Sequence, residues 1–482
     1  MHRDTREVTR PERGHPFPPL LLLIVICAAC YVNSVPCGFI SDDSWAVVNG
    51  PLNSASNPVA EAFSIKTPIR DYSDAPAVYR PISLLALWAN WRLSHQPWTF
   101  HAVNLALHLA CVVLLYFLTL RIWKRRDLAF ATALLFGVWP SHGESVALIS
   151  ARNDLISGAL VVGGLLALAS KRPITYAALM AAAVFSKESA VLIPLIAFLH
   201  WLRTRRRGIC WEHIAALGAL FVMLVARHFA HWSERSAAII SSAPPTPHAS
   251  FGQSALGSVV YLGNYLMMSL APIPGNAPRM PQPSTSSVTL AAMALIAAAA
   301  AAVALRRRIP QVTLGLCWFG VTAALATPLV YSQLILAERY VYLPQMGVGL
   351  ALAAVLLSLG RSGRVALILL VMFATCVTVG NNRIYRDDVT YWAYISDKSP
   401  DASTYNNLAM ALVEAGRAPE ATAPMEKAVR MEPGNPFGHL NLGGLYLSLD
   451  RRQDAARELA EARRLAPNNP AVSEALRSLE SR

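Results

Sequence analysis

Long runs of apolar residues recur along the chain up to about residue 382, and short polar segments separate them. A helix needs about 20 predominantly apolar residues to cross a bilayer. Eleven runs approach that length, at about 17–38, 98–120, 128–140, 153–170, 174–186, 189–202, 213–229, 288–305, 311–330, 343–360 and 364–380. The pattern therefore predicts an all-α protein in which residues 17–382 form a polytopic membrane helical bundle of about eleven spans.

Basic residues cluster between these runs and indicate the direction of each span. Lys and Arg concentrate in the short cytoplasmic loops of membrane proteins. The basic blocks are RIWKRR (121–126), SKRP (170–173), RTRRR (203–207), RRR (306–308) and RSGR (361–364). Alternation from a cytoplasmic tail at 1–16 places all of them inside, and places the loop at 39–97 and everything after 382 on the non-cytoplasmic side. A further apolar piece at 255–271 would reverse the side of 306–308 if it crossed, so an interfacial or re-entrant helix is predicted there.

Composition supports a membrane protein and argues against a nucleic-acid-binding one. Of the 482 residues, 54% are hydrophobic and 15% are charged, which is too apolar for an ordinary soluble domain. The net charge is +13, yet from Arg383 onward 13 Lys and Arg face 14 Asp and Glu. The positive excess thus belongs to the membrane part, where each basic block adjoins an apolar run, as the preference of Lys and Arg for the cytoplasmic side explains. The seven cysteines suggest neither a disulfide framework nor a CxxC metal pair.

The C-terminal region contains an internal repeat of 34 residues, at 402–435 and 436–469. Small residues recur in both units, as at Ala421 and Ala455, and a proline follows the second predicted helix of each. This pattern resembles the tetratricopeptide repeat, so a short α-solenoid is predicted, with a linker at 383–401 and a capping helix at 470–482. Two units are fewer than the three that independent stability usually needs. Such a pair is either a packing module on the membrane domain or a groove that binds a protein or peptide.

Two adjacent acids, Asp42 and Asp43, follow the first apolar run in the segment FISDDSWAVVNGP. Carboxylates near the bilayer usually face water, a partner or a functional site, because burying one in lipid costs several kcal/mol. The plainer interpretation is a helix N-cap, in which one carboxylate accepts backbone N–H bonds ahead of SWAVV. Composition leaves these two interpretations open.

Further polar residues lie at the predicted outer ends of the spans. His101, Asn104 and His108 share one helix face, so they are expected to line a cavity or the bundle interior. The candidate substrate-binding residues are Arg80, His101, Asn104, His142, Glu144, Arg152, Asp154, Lys187, Glu188, Glu338 and Arg339. For adjacent opposite charges the alternative is a local ion pair. A divalent cation stays open, since His142 and Glu144 have a spacing that ligands can use but that is common by chance.

Seven segments occur in an order that resembles the TMTC-type proteins, the transmembrane and tetratricopeptide repeat-containing protein O-mannosyltransferases and their bacterial relatives. The segments are DDSWAVVNG, YRPISLLALWANW, HAVNLALHL, LLFGVWPSHGESVALISARNDLISG, FSKESAVLIP, WFGVTAALATPL and AERYVYLP, followed by the repeats. The resemblance implies a fold similar to GT-C glycosyltransferases, which take a sugar from a polyprenyl-phosphate donor on the non-cytoplasmic face. It also implies a bacterial inner membrane location, hexosyl or mannosyl transfer, and a catalytic base in the first outer loop, where Asp42 and Asp43 lie.

The chemistry of such a transfer suits the residues at hand. A positioned carboxylate accelerates attack by a neutral hydroxyl about 10²- to 10⁴-fold. Asp42 is the candidate base, and Asp43 is expected to orient a substrate or bind a cation. A phosphate leaving group needs positive charge, for which Arg80, Arg152, Lys187 and Arg339 are candidates. The alternatives are a non-catalytic membrane scaffold whose repeats recruit a partner and a transporter of lipid-linked sugar.

Overall fold

Within the residues that the computed structural model describes, every regular element is a helix. These residues are 17–64, 79–190, 193, 251–273, 284–327 and 336–481, with isolated positions between 214 and 226. The all-α prediction is confirmed, since no β-strand occurs in these ranges. The predicted span at 189–202 lies almost entirely outside the described residues, as do the tail at 1–16 and much of the span at 213–229.

The membrane part, which comes before the repeats, contains thirteen α-helices among the described residues. They are α1 (Phe17–Tyr31), α2 (Pro58–Ala62), α3 (Pro81–Leu93), α4 (Pro97–Trp123), α5 (Arg126–Gly137), α6 (Gly143–Ala147), α7 (Arg152–Ala169), α8 (Pro173–Val184), α9 (Phe251–Leu270), α10 (Thr285–Leu305), α11 (Pro310–Ala324), α12 (Tyr342–Ser358) and α13 (Gly360–Asn381). Several begin with proline, whose fixed φ suits the first helical position. Helix α4 ends where Lys124 adopts a left-handed conformation at φ 54°.

The described part contains five helical segments that are long and apolar enough to cross a bilayer. They are Pro97–Trp123, Ile149–Ala169, Thr285–Leu305, Glu338–Ser358 and Gly360–Tyr385, and shorter apolar helices occur at Pro19–Ser34 and Pro173–Val184. The chain is therefore an integral membrane protein. The total of eleven spans stays a prediction, as does the interfacial position of 255–271, of which all but the last residue lies in the 20-residue helix α9.

The core of the bundle lies among α1, α4, α5, α7 and α12, where bulky aromatic residues are fully buried. Their polar atoms are used inside the bundle, as buried polar groups require. Tyr31 donates a hydrogen bond to the Trp139 carbonyl at 3.0 Å, and the Trp139 indole donates to the Met268 carbonyl at 2.8 Å. The second contact fastens α9 to the bundle.

The C-terminal region forms a helical pair in each repeat, as predicted. The helices are α14 (Asp388–Lys398), α15 (Ala402–Glu414), α16 (Ala418–Met431), α17 (Pro436–Ser448), α18 (Arg452–Leu465) and α19 (Pro470–Ser481). Ala421 and Ala455 are completely buried in the repeat core, because small side chains let paired helices approach closely. Helices α16 and α18 each end two residues before the prolines of the repeat.

The segment 383–401, predicted as a linker, contains helix α14 and connects the repeats to the bundle. Val389 packs against the repeat core. On the same helix, Tyr391 packs with Tyr385 and Ile40 of the membrane part. Helix α14 therefore contacts both halves of the chain, and its first turn lies beside the loop that carries the two acids.

Close packing of α11 on α12 depends on two glycines. A Cβ atom added at Gly315 would lie 2.2 Å from the Gly347 carbonyl oxygen, whereas one added at Gly320 meets no described atom within 4 Å. We expect Gly315→Ala to force the helices apart at a cost of about 1–3 kcal/mol, typical of overpacking. Thermal unfolding of purified protein in detergent should show a lower midpoint than for Gly320→Ala, the matched control on the same helix. Equal midpoints for the two variants would contradict this packing.

Candidate functional site

The loop that follows α1 is held by contacts to distant parts of the chain. The Gly38 amide donates to the Arg386 carbonyl at 3.1 Å, and a ring nitrogen of His101 lies 3.2 Å from the Gly38 carbonyl oxygen. The Ser41 amide donates to the Asp388 carboxylate at 2.6 Å. Ser41 has a φ of +51°, which is uncommon for a residue with a side chain and needs support from its surroundings. These contacts fix the backbone immediately before the acids.

Asp43 is completely buried, and its carboxylate serves as a backbone anchor. It accepts hydrogen bonds from the amides of Ser150 at 2.6 Å, Ile149 at 3.3 Å and Ile40 at 3.3 Å. It makes no side-chain cap bond to the following helix, Ser44–Val48, so the carboxylate does not cap SWAVV. Burial raises the pKa of Asp43 to about 7, although the three hydrogen bonds oppose this shift. The side chain thus ties the loop to the start of α7.

The same contacts bear on the expectation that Asp43 binds a cation. Its lone pairs face three N–H donors, whose partial positive charges repel a metal ion. His142 does not form a cation site with Asp43. The His142 ring is fully buried and packs on two aromatic rings, with centroid distances of 4.6 Å to Phe136 and 4.8 Å to Tyr342. Burial and the nearby His108 lower the pKa of His142. Across the described ranges, no group of three His, Cys, Asp or Glu residues could hold a metal.

Asp42, in contrast, is exposed and belongs to a charged group at the end of the bundle. Its electrostatic partners are Arg339 and Tyr391. Burial is the largest cause of a raised pKa at Tyr391; the negative charges of Glu144, Asp42 and Asp43 add to it, and Arg339 opposes it. Four of these side chains therefore share a single region. We call it the outer cluster: Asp42, Glu144, Arg339 and Tyr391.

Glu144 and Arg339 are joined within the outer cluster by two bonds. The Arg339 guanidinium Nη1 lies 2.5 Å from Glu144 Oε1, and the Arg339 amide donates to Oε2 at 3.0 Å. The Arg339 side chain is 27% exposed and that of Glu144 is 10% exposed. The Arg339 guanidinium also lies 5.5 Å from the centre of the Tyr340 ring. A held but accessible guanidinium is suited to bind an anion.

Two more ion pairs lie beside the Tyr340 ring. Arg80 makes a two-bond pair with Glu188, with nitrogen to oxygen distances of 3.0 and 2.5 Å. Lys187 donates to the buried carboxylate of Asp154, and its ammonium nitrogen lies 5.0 Å from the ring centre of Tyr340. Lys187 and Arg339 thus contact the same ring, which brings their positive charges together.

The charged side chains of this region pair with residues distant in sequence, whereas the alternative interpretation was a local ion pair between neighbours. Lys187 and Glu188 are adjacent, yet each pairs with a different residue. Arg339 pairs with Glu144, 195 residues away, and the adjacent Glu338 is almost fully buried. The fold, and not sequence proximity, chooses the partners.

Arg152 and its neighbours are interior residues, which corrects the expectation that Arg152 offers charge to a phosphate. Arg152 is fully buried and donates to Asn104 at 2.7 Å and to the Phe100 carbonyl at 2.9 Å. Asn104 donates in turn to the Val146 carbonyl at 3.2 Å. His101 is likewise buried. The predicted stripe therefore lines the bundle interior, where it connects α4 to the start of α7.

Sequence reasoning missed Tyr340, Tyr391 and Asp388. A signal for the last two was present, since RDDVTYW (386–392) places a second pair of acids and aromatics directly after the last predicted span, much as SDDSW (41–45) follows the first. The structure brings these two acidic segments into contact through the bond between Ser41 and Asp388.

The fold and this region define an all-α integral membrane protein that ends in tetratricopeptide repeats. A profile described as a tetratricopeptide repeat matches residues 412–479. Within that class the chain is similar to TMTC-type proteins over nearly its whole length, which confirms the predicted resemblance. It is 24% identical to the Drosophila melanogaster protein named protein O-mannosyl-transferase Tmtc3, an alignment that covers 94% of this chain and 59% of that relative.

Other relatives share shorter regions. The Mus musculus protein O-mannosyl-transferase TMTC1 is 38% identical over 31% of this chain and 16% of its own length. The Caenorhabditis elegans protein O-mannosyl-transferase F38B6.6 is 28% identical over 42% and 32%. A solved Archaeoglobus fulgidus oligosaccharyltransferase, tethered with an acceptor peptide, aligns with a TM-score of 0.36 and 13% identity, covering 81% of this chain and 59% of that one. This chain therefore spans less than two thirds of the length of each of these proteins.

Replacing Asp43 should destabilise the protein, whereas replacing Asp42 should not. Asp43→Ala removes the acceptor of three N–H groups, two of them in buried hydrogen bonds, and each buried unsatisfied group costs about 1–3 kcal/mol. We expect a clear fall in the thermal midpoint of purified protein in detergent. Asp42→Ala, the matched control, removes an exposed carboxylate and should leave the midpoint nearly unchanged. A fall of the same size in both variants would show that Asp43 is not the anchor described.

Proposed function

We propose that this protein is a membrane glycosyltransferase that moves a sugar from a polyprenyl-phosphate donor to an acceptor hydroxyl. The similarity to proteins named O-mannosyl-transferases, over 94% of the chain for one of them, supports transfer of a sugar and favours mannose or another hexose. The observation that carries the proposal is the exposed carboxylate of Asp42, whose negative charge acts on the partly exposed guanidinium of Arg339. Base and anion-binding group are thus presented together at one end of the bundle.

Asp42 acts as the general base in this proposal. Its carboxylate takes the proton of the acceptor hydroxyl as that oxygen attacks the anomeric carbon of the sugar. The bond from the anomeric carbon to the phosphate oxygen breaks, and polyprenyl phosphate leaves with the electron pair. Attack opposite the leaving group inverts the anomeric configuration. Asp43 is a positioning residue, because its bonds to Ile149 and Ser150 hold the backbone that presents Asp42.

The cations of the site stabilise the departing phosphate. Charge-assisted hydrogen bonds to phosphate are about twice as strong as neutral ones. Arg339 is the main candidate, since its bond to Glu144 engages one guanidinium nitrogen of a group with five N–H donors. Arg80, paired with Glu188, and the buried Lys187, paired with Asp154, are further cations near the Tyr340 ring. Their partners Asp154 and Glu188 hold them in place, which fixes the geometry before the donor arrives.

The repeats connect to this chemistry through α14. Because Tyr391 belongs to the outer cluster and Val389 to the repeat core, the repeats pack where they support the site. We propose packing as their first role, with recruitment of a protein or peptide acceptor as the second. In this proposal the site and the repeats lie at the same end of the bundle, and the proposed topology puts that end on the non-cytoplasmic side of a bacterial inner membrane.

The side of the membrane on which the region after residue 382 lies can be measured directly. The basic blocks predict that the region after residue 382 lies outside the cytoplasm. A reporter fused after the last residue that is active only outside the cytoplasm should be active, and one that is active only inside should be silent. The opposite result would place Asp42 and the repeats in the cytoplasm and would remove the proposed site from the outer face.

The catalytic role of Asp42 predicts a specific loss of turnover. Asp42→Asn keeps the side-chain volume but removes the base, so we expect consumption of a mannosyl polyprenyl phosphate to fall about 10²- to 10⁴-fold. The measurement uses purified protein in nanodiscs with a membrane extract as the source of acceptor. Asp397→Asn is the matched control, since Asp397 is an exposed acid on α14.

Stability separates the possible outcomes of this experiment. Asp42→Asn should unfold at the same temperature as the unmodified protein, because Asp42 is exposed. Full activity in a folded Asp42→Asn variant would reject Asp42 as the base. Absence of turnover in the unmodified protein as well, together with normal growth of cells that carry only Asp42→Asn, would favour the scaffold alternative.

A further inference from the structure

A concave surface lies at the far end of the bundle from the outer cluster. It is an open cleft of about 560 Å³ between the ends of α4 and α7 and the start of α8, and we call it the basic cleft. Helix α4 has 27 residues and α7 has 18, and both begin near the acidic loop. At about 1.5 Å per residue the cleft lies roughly 25 Å or more from Asp42. It is therefore separate from the proposed site of transfer.

Three cations, Arg121, Lys124 and Arg172, line the basic cleft. Each is exposed, and none of them is within ion-pair distance of a carboxylate in the described part of the chain. The nearby acid in the sequence, Asp127, is engaged by Arg125 at 2.6 Å. Three positive charges thus converge on one concavity whose described surroundings supply no counter-charge.

Helix dipoles explain only part of this arrangement. Arg121 and Lys124 lie at the C-terminal end of α4, where a cation is favoured by the helix dipole. Arg172 is the N-cap residue of α8, and the positive end of that dipole disfavours a cation. The preference of basic residues for the cytoplasmic side explains their presence in loops. It does not explain why Arg172 faces the same cleft as the other two, whereas an anion bound between them does.

The rest of the cleft is apolar and opens along the membrane helices. Phe117 and Leu120 of α4 face Gly163 and Leu166 of α7 across it. A Cβ atom at Gly163 would make only ordinary contacts, 3.5 Å from Leu179 and 3.8 Å from a second leucine. The missing side chain therefore leaves room in the groove and is not required for close helix packing. Phe117 is 37% exposed, so the apolar wall continues onto the surface that faces lipid.

We propose that the basic cleft binds an anionic phospholipid of the bilayer. The phosphate headgroup contacts Arg121, Lys124 and Arg172, and an acyl chain lies along Phe117 and Gly163. Both halves of the cleft suit this occupant, because a lipid combines a phosphate with a hydrocarbon chain at one membrane surface. Free inorganic phosphate matches the cations but leaves the apolar groove unfilled. A neutral lipid matches the groove but not the charges.

The test is lipid binding by the whole purified protein, followed by native mass spectrometry in detergent. The unmodified protein should retain added phosphatidylglycerol in preference to phosphatidylcholine of the same chain length. The combined variant Arg121→Gln, Lys124→Gln and Arg172→Gln should weaken phosphatidylglycerol binding about 100-fold, from roughly 1 kcal/mol per cation. The matched control is Arg306→Gln, Arg307→Gln and Arg308→Gln, which removes three exposed cations of another basic block. It should bind as the unmodified protein does.

A second variant tests the apolar half of the cleft while leaving the charges intact. Gly163→Leu fills the groove and should reduce phosphatidylglycerol binding at least tenfold, with an unchanged thermal midpoint as the check on folding. Inorganic phosphate added at the same concentration should not displace the lipid. Unchanged binding in the triple variant, equal retention of phosphatidylcholine, or displacement by inorganic phosphate would each overturn the proposal.

Discussion

The buried carboxylate of Asp43 is the contact on which the geometry of the site depends. It joins the loop after the first membrane helix to the backbone at Ile149 and Ser150, immediately before α7. Since α7 begins with Arg152 and Asp154, one anchored side chain fixes the position of the interior arginine network and of the Lys187 pair. A buried carboxylate is tolerated only when its hydrogen bonds are satisfied, and the three amides meet that condition. With Asp43 directed inward, the adjacent Asp42 is left facing outward.

Adjacent like charges therefore divide into a structural and an accessible acid. The cations likewise depend on structural acids, because each candidate phosphate-binding group is held by a carboxylate from another part of the chain. Glu144 holds Arg339, Asp154 holds Lys187 and Glu188 holds Arg80. Such pairs leave little net charge at rest but fix the positions of the donors. In such a site the entropy cost of ordering the side chains is met mostly during folding, before a substrate binds.

Periodicity was enough to predict the all-α architecture and the repeats, because both depend on patterns within a few tens of residues. The acidic loop was also recognisable, since Asp42 and Asp43 directly follow an apolar span. The division of labour between them was not, because it depends on amides about a hundred residues away. Nor could the sequence show that Arg152 is interior, or that Glu144 would prefer Arg339 to a nearer partner. Those choices are made by helix packing, which brings together side chains that no local pattern relates.

The bond between Ser41 and Asp388 also sets an order of events during synthesis. The two residues are separated by 347 positions, which a ribosome takes roughly 20–70 s to translate at about 5–20 residues per second. Throughout that time the loop has been made, but the carboxylate that holds its left-handed Ser41 does not yet exist. Insertion into the membrane proceeds from the N-terminus, whereas completion of this loop waits for the segment that follows the last membrane helix. A loop that is synthesised early is thus among the last to reach its native form.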